Sequence, residues 1–179
     1  MFRIESTDVY SLNAAIPAAA IEQRDELLEH LESFETVRDP LTLVIKRFGT
    51  PDSTALSSLE RSLGEVLNEW GPMRAEIDGI DLFMDPPSGP SPVIYLGVSS
   101  HGLEALHRDL VDRFGVVDPA IEGENYIPHI TIARGGPRVA IDELRDISLE
   151  THQWTIETVM LWSSRHDKPV KQFSLPYRS

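Results

Sequence analysis

The segment Pro128-His129-Ile130-Thr131-Ile132 holds the sharpest chemistry in this 179-residue chain. Successive side chains of a strand alternate, so His129 and Thr131 share one face while Ile130 and Ile132 share the other. An imidazole that titrates near neutrality can move a proton to or from a reacting oxygen. A hydroxyl two residues on can hydrogen-bond a phosphoryl oxygen whose charge must be held. Together they suit phosphodiester chemistry without a metal or other cofactor. Lys46 and Arg47, beside Arg134, are candidates for a local phosphate site. Tyr126, three residues before His129, is a candidate either for stacking on a nucleobase or for covering the core. The other histidines carry less. His30 and His107 fall on helix patterns, His101 follows a strand, and His152 and His166 flank the last strand.

The net charge of −13, from 16 basic and 29 acidic residues, argues against a broad basic surface for gripping nucleic acid. Any RNA substrate must be met locally. Only Lys46, Lys168 and Lys171 are lysines, and this Lys-poor, acid-rich balance fits a halophilic protein. In strong salt the Debye length shrinks to roughly 3 Å, which screens the self-repulsion. An ordinary acidic cytosolic protein is the alternative. With no cysteine, disulfides, thiolate metal sites and cysteine nucleophiles are excluded. No HExxH, Gly-rich phosphate loop or nucleophile elbow is present, so zinc hydrolase, P-loop and serine hydrolase readings have no support. The opening MFRIESTDVY has no apolar core of a leader, and the apolar stretches near Ala14–Ile21 and Leu41–Ile45 are too short to span a bilayer. A cytoplasmic monomer without membrane contact is the expectation.

The elements that must position these residues follow from hydrophobic period. Asp8–Ala15 predicts a short strand, and Ile21 to Phe34 an amphipathic helix, with Asp39-Pro40 closing that region. Leu41–Phe48 predicts a strand, and Ser53 to Leu67 a second helix closed by Gly71-Pro72. Met73–Phe83 and Val93–Val98 predict two strands around the proline-rich Asp85–Pro92 loop. Leu103 to Phe114 predicts a helix ended by Gly115. Pro128–Arg134 predicts the strand that bears His129, Ile141–Ile147 one or two helical turns, Gln153–Ser163 a last long strand, and Gln172–Pro176 an edge strand. Strand, helix and strand thus occur twice, with LTLVIKRFG and HITIARGG at equivalent places. Two such units predict an α+β fold: bilobal, pseudo-twofold antiparallel sheets, face to face or edge to edge, around a central cleft with helices outside. Residues 1–179 then form a single bilobal domain with interleaved lobes, roughly 1–90 and 91–179, because the proline-rich loop is too short to free two domains.

YIPHITIARG resembles the second signature of the two-histidine (2H) phosphoesterases, the 2′,5′-RNA ligase-like superfamily, in which a Pro-His-hydrophobic-Thr strand ends in a basic residue and glycine. GIDLFMDPPSGPSPVIYLGV, LEALHRDLVDRF and ETVMLWSSR are similar to the passages that flank it, and the resemblance runs from about Val9 to Leu175. It implies a bilobal fold in which each lobe gives one His-x-Thr to a shared cleft. The implied activity is that of a metal-independent cyclic phosphodiesterase or 2′,5′-RNA ligase-like enzyme on 2′,3′-cyclic or 2′,5′-linked ribonucleotides. His129 would be the acid–base group, Thr131 and Thr42 would hydrogen-bond the phosphate, and Lys46 or Arg134 would steady its charge.

The first half departs from the pattern. Superposing the two strands by threonine sets Thr42 on Thr131 and Pro40 on His129, and a slip of one residue sets Leu41 there instead. No histidine lies between His30 and His101. Loss of one of two acid–base groups typically forfeits about 10²–10⁴ in rate. Three outcomes stay open: a slow enzyme, one that recruits a substitute, or a protein that binds a nucleotide or RNA end without turning it over.

Overall fold

The computed structural model describes residues 8–177. Among the described residues there are nine strands and five helices: β1 Tyr10–Ala14, α1 Ala18–Glu26, α2 Leu28–Leu31, β2 Thr36–Val37, β3 Leu43–Gly49, α3 Ser53–Leu67, β4 Met73–Phe83, β5 Val93–Ser99, α4 His101–Phe114, β6 His129–Arg134, α5 Arg138–Arg145, β7 His152–Ile156, β8 Thr158–Ser163 and β9 Lys168–Ser174. A single 3-10 turn, Gly123–Asn125, precedes β6.

All strands join one antiparallel sheet in the order β7-β4-β5-β6-β3-β1-β8-β9, with β2 paired to the end of β6. The two halves therefore meet edge to edge, β6 against β3, and a pseudo-twofold relation exchanges β5-β6 with β3-β1 across that seam. This is the expected α+β architecture. One face of the sheet is sealed by helices through Leu12, Leu43, Ile45, Leu96, Ile130 and Ile132, none of them measurably exposed. The alternate residues on the same strands face the cleft.

The helices that hold this sheet have legible starts and stops. Asp52 caps α3 by accepting from the Ala55 N–H at 2.8 Å, and Leu63, Val66 and Leu67 bury its inner face. Ser100 caps α4, accepting from the Leu103 N–H while its hydroxyl donates to the Arg74 carbonyl. Leu103, Leu106 and Leu110 then reach the core, and Gly115, at φ 79°, turns the chain out of the helix in a conformation that a side chain would strain.

Three expectations need correction. The first helix is shorter than its apolar spacing suggests, broken at Leu27, and β2 follows it. The predicted last long strand is two strands: β7 and β8 part at Glu157 and run to opposite ends of the sheet. The C-terminal edge strand begins earlier, at Lys168.

Candidate active site

β6 carries its site residues as alternation requires. Ile130 and Ile132 are fully buried in the core, while His129 and Thr131 are partly exposed on the opposite face. The imidazole is fixed by its own backbone, Nδ1 lying 2.6 Å from the Ile127 carbonyl oxygen. A carbonyl can only accept, so Nδ1 carries the proton and Nε2 keeps a free lone pair. Phe83 and Tyr95 stack on each other at 4.3 Å and pack their rings against His129 at 5.3 and 5.2 Å. Burial pushes the His129 pKa below the ordinary 6.5, and the charges of Arg47 and Arg134 push it the same way, against the opposing backbone hydrogen bond. The ring is therefore a neutral base at pH 7.

The seam between β6 and β3 sets what can face this base. Leu43 pairs with Ile130, which puts Val44 across from His129 and Thr42 across from Thr131. Thr42 lies on the cleft face between two core residues, Leu41 and Leu43. Each strand carries one bulge, at Ile45 in β3 and at Ile132 in β6, and the pseudo-twofold relation that sets these bulges on each other makes Thr42 mirror His129 and Val44 mirror Thr131. This corrects the superposition by threonine. Pro40 is exposed in the connector from β2 to β3, where the backbone N–H of Arg38 takes the Ile132 carbonyl at 2.8 Å and the intervening chain leaves β6. Leu41 is 6% exposed and belongs to the core cluster.

The anion-binding candidates divide sharply. Lys46 has no measurable side-chain exposure and its Nζ lies 2.5 Å from Glu122, whose other oxygen accepts the backbone N–H groups of Val117 and Asp118. A bulge in β3, opposite Leu12 and Asn13, turns Lys46 to the core side and Arg47 to the cleft side. A phosphate role for Lys46 is thus excluded by its burial and its partner. Arg134 stays beside the cleft, its Nη1 donating to the Ser88 carbonyl at 2.7 Å and thereby tethering the proline-rich loop. Arg38, which sequence reasoning missed, reaches Thr42 Oγ1 at 3.4 Å. Burial lowers the pKa of both Arg47 and Arg134, and Arg38 adds to the lowering of Arg134. Among the described residues no carboxylate lies within ion-pair distance of Arg38, Arg47 or Arg134, although acidic groups outnumber basic ones in the chain.

Tyr126 takes the core reading of its two alternatives. Its ring stacks on His107 at 3.9 Å and its hydroxyl donates to the Val44 carbonyl at 2.9 Å, so one ring face and the hydroxyl are taken up within the protein. Burial raises its pKa strongly. His107 is itself structural. Its Nε2 accepts the Gly123 N–H at 2.9 Å, which makes Nδ1 the donor to the Ile45 carbonyl at 2.7 Å, beside the bulge. Burial lowers its pKa, consistent with a neutral ring.

A cavity of about 600 Å³ opens next to His129 along β5 and β4, lined by Tyr95, Gly97, Ser99, Asp78, Asp81 and Pro128 among others. Burial, then Asp81, raise the Tyr95 pKa to about 12. The Asp78 carboxylate accepts from Ser99 and covers Gly97, where a Cβ would collide with it. The cleft is thus polarised, with arginines at the β3 end and carboxylates at the β4 end. Phe83 and Tyr95 went unrecognised because only strand register, not sequence spacing, brings them to His129; their signal was an aromatic on each of two adjacent predicted strands.

Among the described residues, no group of three or more His, Asp or Glu could hold a metal ion, and no helix is long and apolar enough to cross a membrane. The sequence model of the 2′-5′ RNA ligase superfamily matches residues 41–168. No curated protein matches in sequence. Among solved structures, Escherichia coli LigT complexed with 3′-AMP is 17% identical, with 96% of this chain and 100% of that one covered at a TM-score of 0.68. TT0787 of Thermus thermophilus is 18% identical, with 93% and 97% covered at a TM-score of 0.65. Escherichia coli LigT complexed with ATP is 17% identical, with 96% and 100% covered at 0.62. At such identities the likeness establishes the fold.

Proposed function

Because the chain belongs to the 2′-5′ RNA ligase superfamily, we propose that it is a metal-independent nucleotide phosphodiesterase acting on 2′,3′-cyclic or 2′,5′-linked ribonucleotides, with His129 as its single general base. One observation carries this reading. The free Nε2 of His129 shares a cleft face with Thr131 and Thr42, beside three arginines that have no carboxylate partner among the described residues. Thr131 and Thr42 would hydrogen-bond the phosphoryl oxygens and Arg47 and Arg134 would balance their charge. The base and sugar would extend along the cavity over Tyr95 and Gly97. Complexes of LigT with 3′-AMP and ATP support a nucleotide as the ligand class.

The test is hydrolysis of a 2′,3′-cyclic nucleotide and a 2′,5′-linked dinucleotide in molar KCl, as the acidic composition recommends, with a chelator present. Turnover should fall by about 10²–10⁴ in His129→Ala. Equal turnover by the two proteins would remove the assignment.

A second reading is favoured by Thr42 and Val44, which cannot supply the acid–base group that the twofold relation would place there. On that reading the cleft binds a nucleotide or RNA end and releases it unchanged. Nucleotide affinity lost in Arg134→Gln, with no turnover in the wild type, would support it.

A further inference from the structure

Hydrolysis of a phosphodiester moves two protons: one leaves the attacking water and one reaches the departing oxygen. His129 can take the first. Supplying the second is harder. The position that the matched bulges make the mirror of His129 holds Thr42, with Val44 two residues on. Lys46 is sealed against Glu122, and Tyr95, with a pKa raised to about 12, is bonded to Asp81. His101 is the first residue of α4, beyond the end of β5, and lines the cavity on the side of the strand away from Thr42, past Gly97, the strand partner of His129.

What this end of the cleft offers instead is positive charge and donors. Arg38, Arg47 and Arg134 have no carboxylate partner among the described residues. Asn13, opposite Val44 on the same face and 2% exposed, has a buried Nδ2 with no acceptor among the described residues, its Oδ1 being held by the Ser11 hydroxyl. Guanidinium and amide donors do not give up a proton at neutral pH, but they stabilise an oxyanion that departs without one. A ribose hydroxyl leaves poorly in that form, whereas a phosphate leaves well.

Resting on the reading above, we propose that this site cleaves nucleotide phosphoanhydrides, whose departing group is a phosphate, in preference to esters that expel a ribose oxygen. Nε2 of His129 takes a proton from water as the water oxygen bonds to phosphorus. The bridging P–O bond breaks with its electron pair on the departing phosphate oxygen, which faces the guanidinium groups and Asn13. The imidazolium then releases its proton to solvent. Water is the only co-reactant and nothing is oxidised or reduced.

The experiment is a leaving-group series: thymidine 5′-aryl phosphates with phenols from 4-nitrophenol to unsubstituted phenol, together with a dinucleoside diphosphate and a 2′,3′-cyclic nucleotide. In the wild type kcat/KM should climb steeply with phenol acidity, and the diphosphate should be cleaved roughly a hundredfold faster than the cyclic ester, the scale of one missing acid. Thr42→His should gain most on the least acidic phenol and flatten the series. A flat wild-type series, or a cyclic ester cleaved as fast as the diphosphate, would overturn the preference while leaving the phosphodiesterase assignment intact. Activity undiminished in His129→Ala across the series would instead strike the assignment itself. Binding of 3′-AMP with no cleavage of any member would overturn the preference and leave a binding protein.

Discussion

The two strands at the seam of the sheet mirror each other in backbone and differ in what they do. β6 places His129 and Thr131 on the cleft face and keeps its core face purely aliphatic. β3 and the residue just before it place Thr42, Val44 and Arg47 there, and a bulge sends the strand's lysine inward to a buried ion pair. One half keeps a proton-transfer group; the other has become a scaffold that presents charge. The same fold position can thus carry chemistry in one copy of a duplicated unit and structure in the other. The discriminating observations are register and burial, because residue type alone made Lys46 look like the functional cation.

The largest expected effect breaks the comparison on its structural side. Glu122→Ala would leave Lys46 charged and unpaired in the core, and removal of one partner of a buried pair typically destabilises by about 3–5 kcal/mol. Urea denaturation should show a loss of that size. Lys46→Met/Glu122→Leu should recover most of it, since neither charge then remains buried. If Glu122→Ala were neutral to stability but abolished phosphate binding, Lys46 would be a ligand and the division of labour between the strands would fail.

Next in size is the reconstruction of the missing motif. Thr42→His/Val44→Thr should raise hydrolysis of a 2′,3′-cyclic nucleotide by about 10², equivalent to about 2.7 kcal/mol of transition-state stabilisation. Pro40→His should change nothing, because that residue is exposed in a connector away from the β6 ladder. A gain from Pro40→His alone would mean that the superposition by threonine, rather than the matching of the two bulges, describes the symmetry.

Most of the architecture was legible because it rests on period and punctuation. The apolar alternation of LTLVI and HITI, the leucine spacing of α4 and the glycine that ends it all act within a few residues. What stayed hidden depends on long-range pairing. A one-residue bulge inverts Lys46 and Arg47 between faces, and nothing in LTLVIKRFG announces it. The fracture of QWTIETVMLWS at Glu157 has the same origin: β7 and β8 are separated by one residue and claimed by distant strands, β4 and β1. His129 and Thr131 were readable because both sit on one uninterrupted strand. Arg38, Phe83 and Tyr95 come from three other segments and meet only in the folded sheet.

The smallest expected effect sharpens the electrostatic side of the comparison. The His129 pKa is depressed by burial and then by Arg47 and Arg134. A depressed pKa keeps the imidazole neutral to lower pH, so the acid limb of kcat/KM should fall below the ordinary 6.5. Removing a positive neighbour favours protonation, so Arg134→Gln should move that limb upward, toward but not past 6.5 while burial persists. The shift should be a fraction of a pH unit, because Arg134 is partly solvated and tethered to Ser88. It should shrink further in strong salt, which screens the guanidinium. Arg138→Gln, an exposed arginine on the neighbouring helix, should leave the limb in place. An Arg134→Gln limb that moved to lower pH, or did not move in dilute buffer, would show that the β6 base is tuned by its pocket alone and that the cationic cluster serves binding without touching the proton.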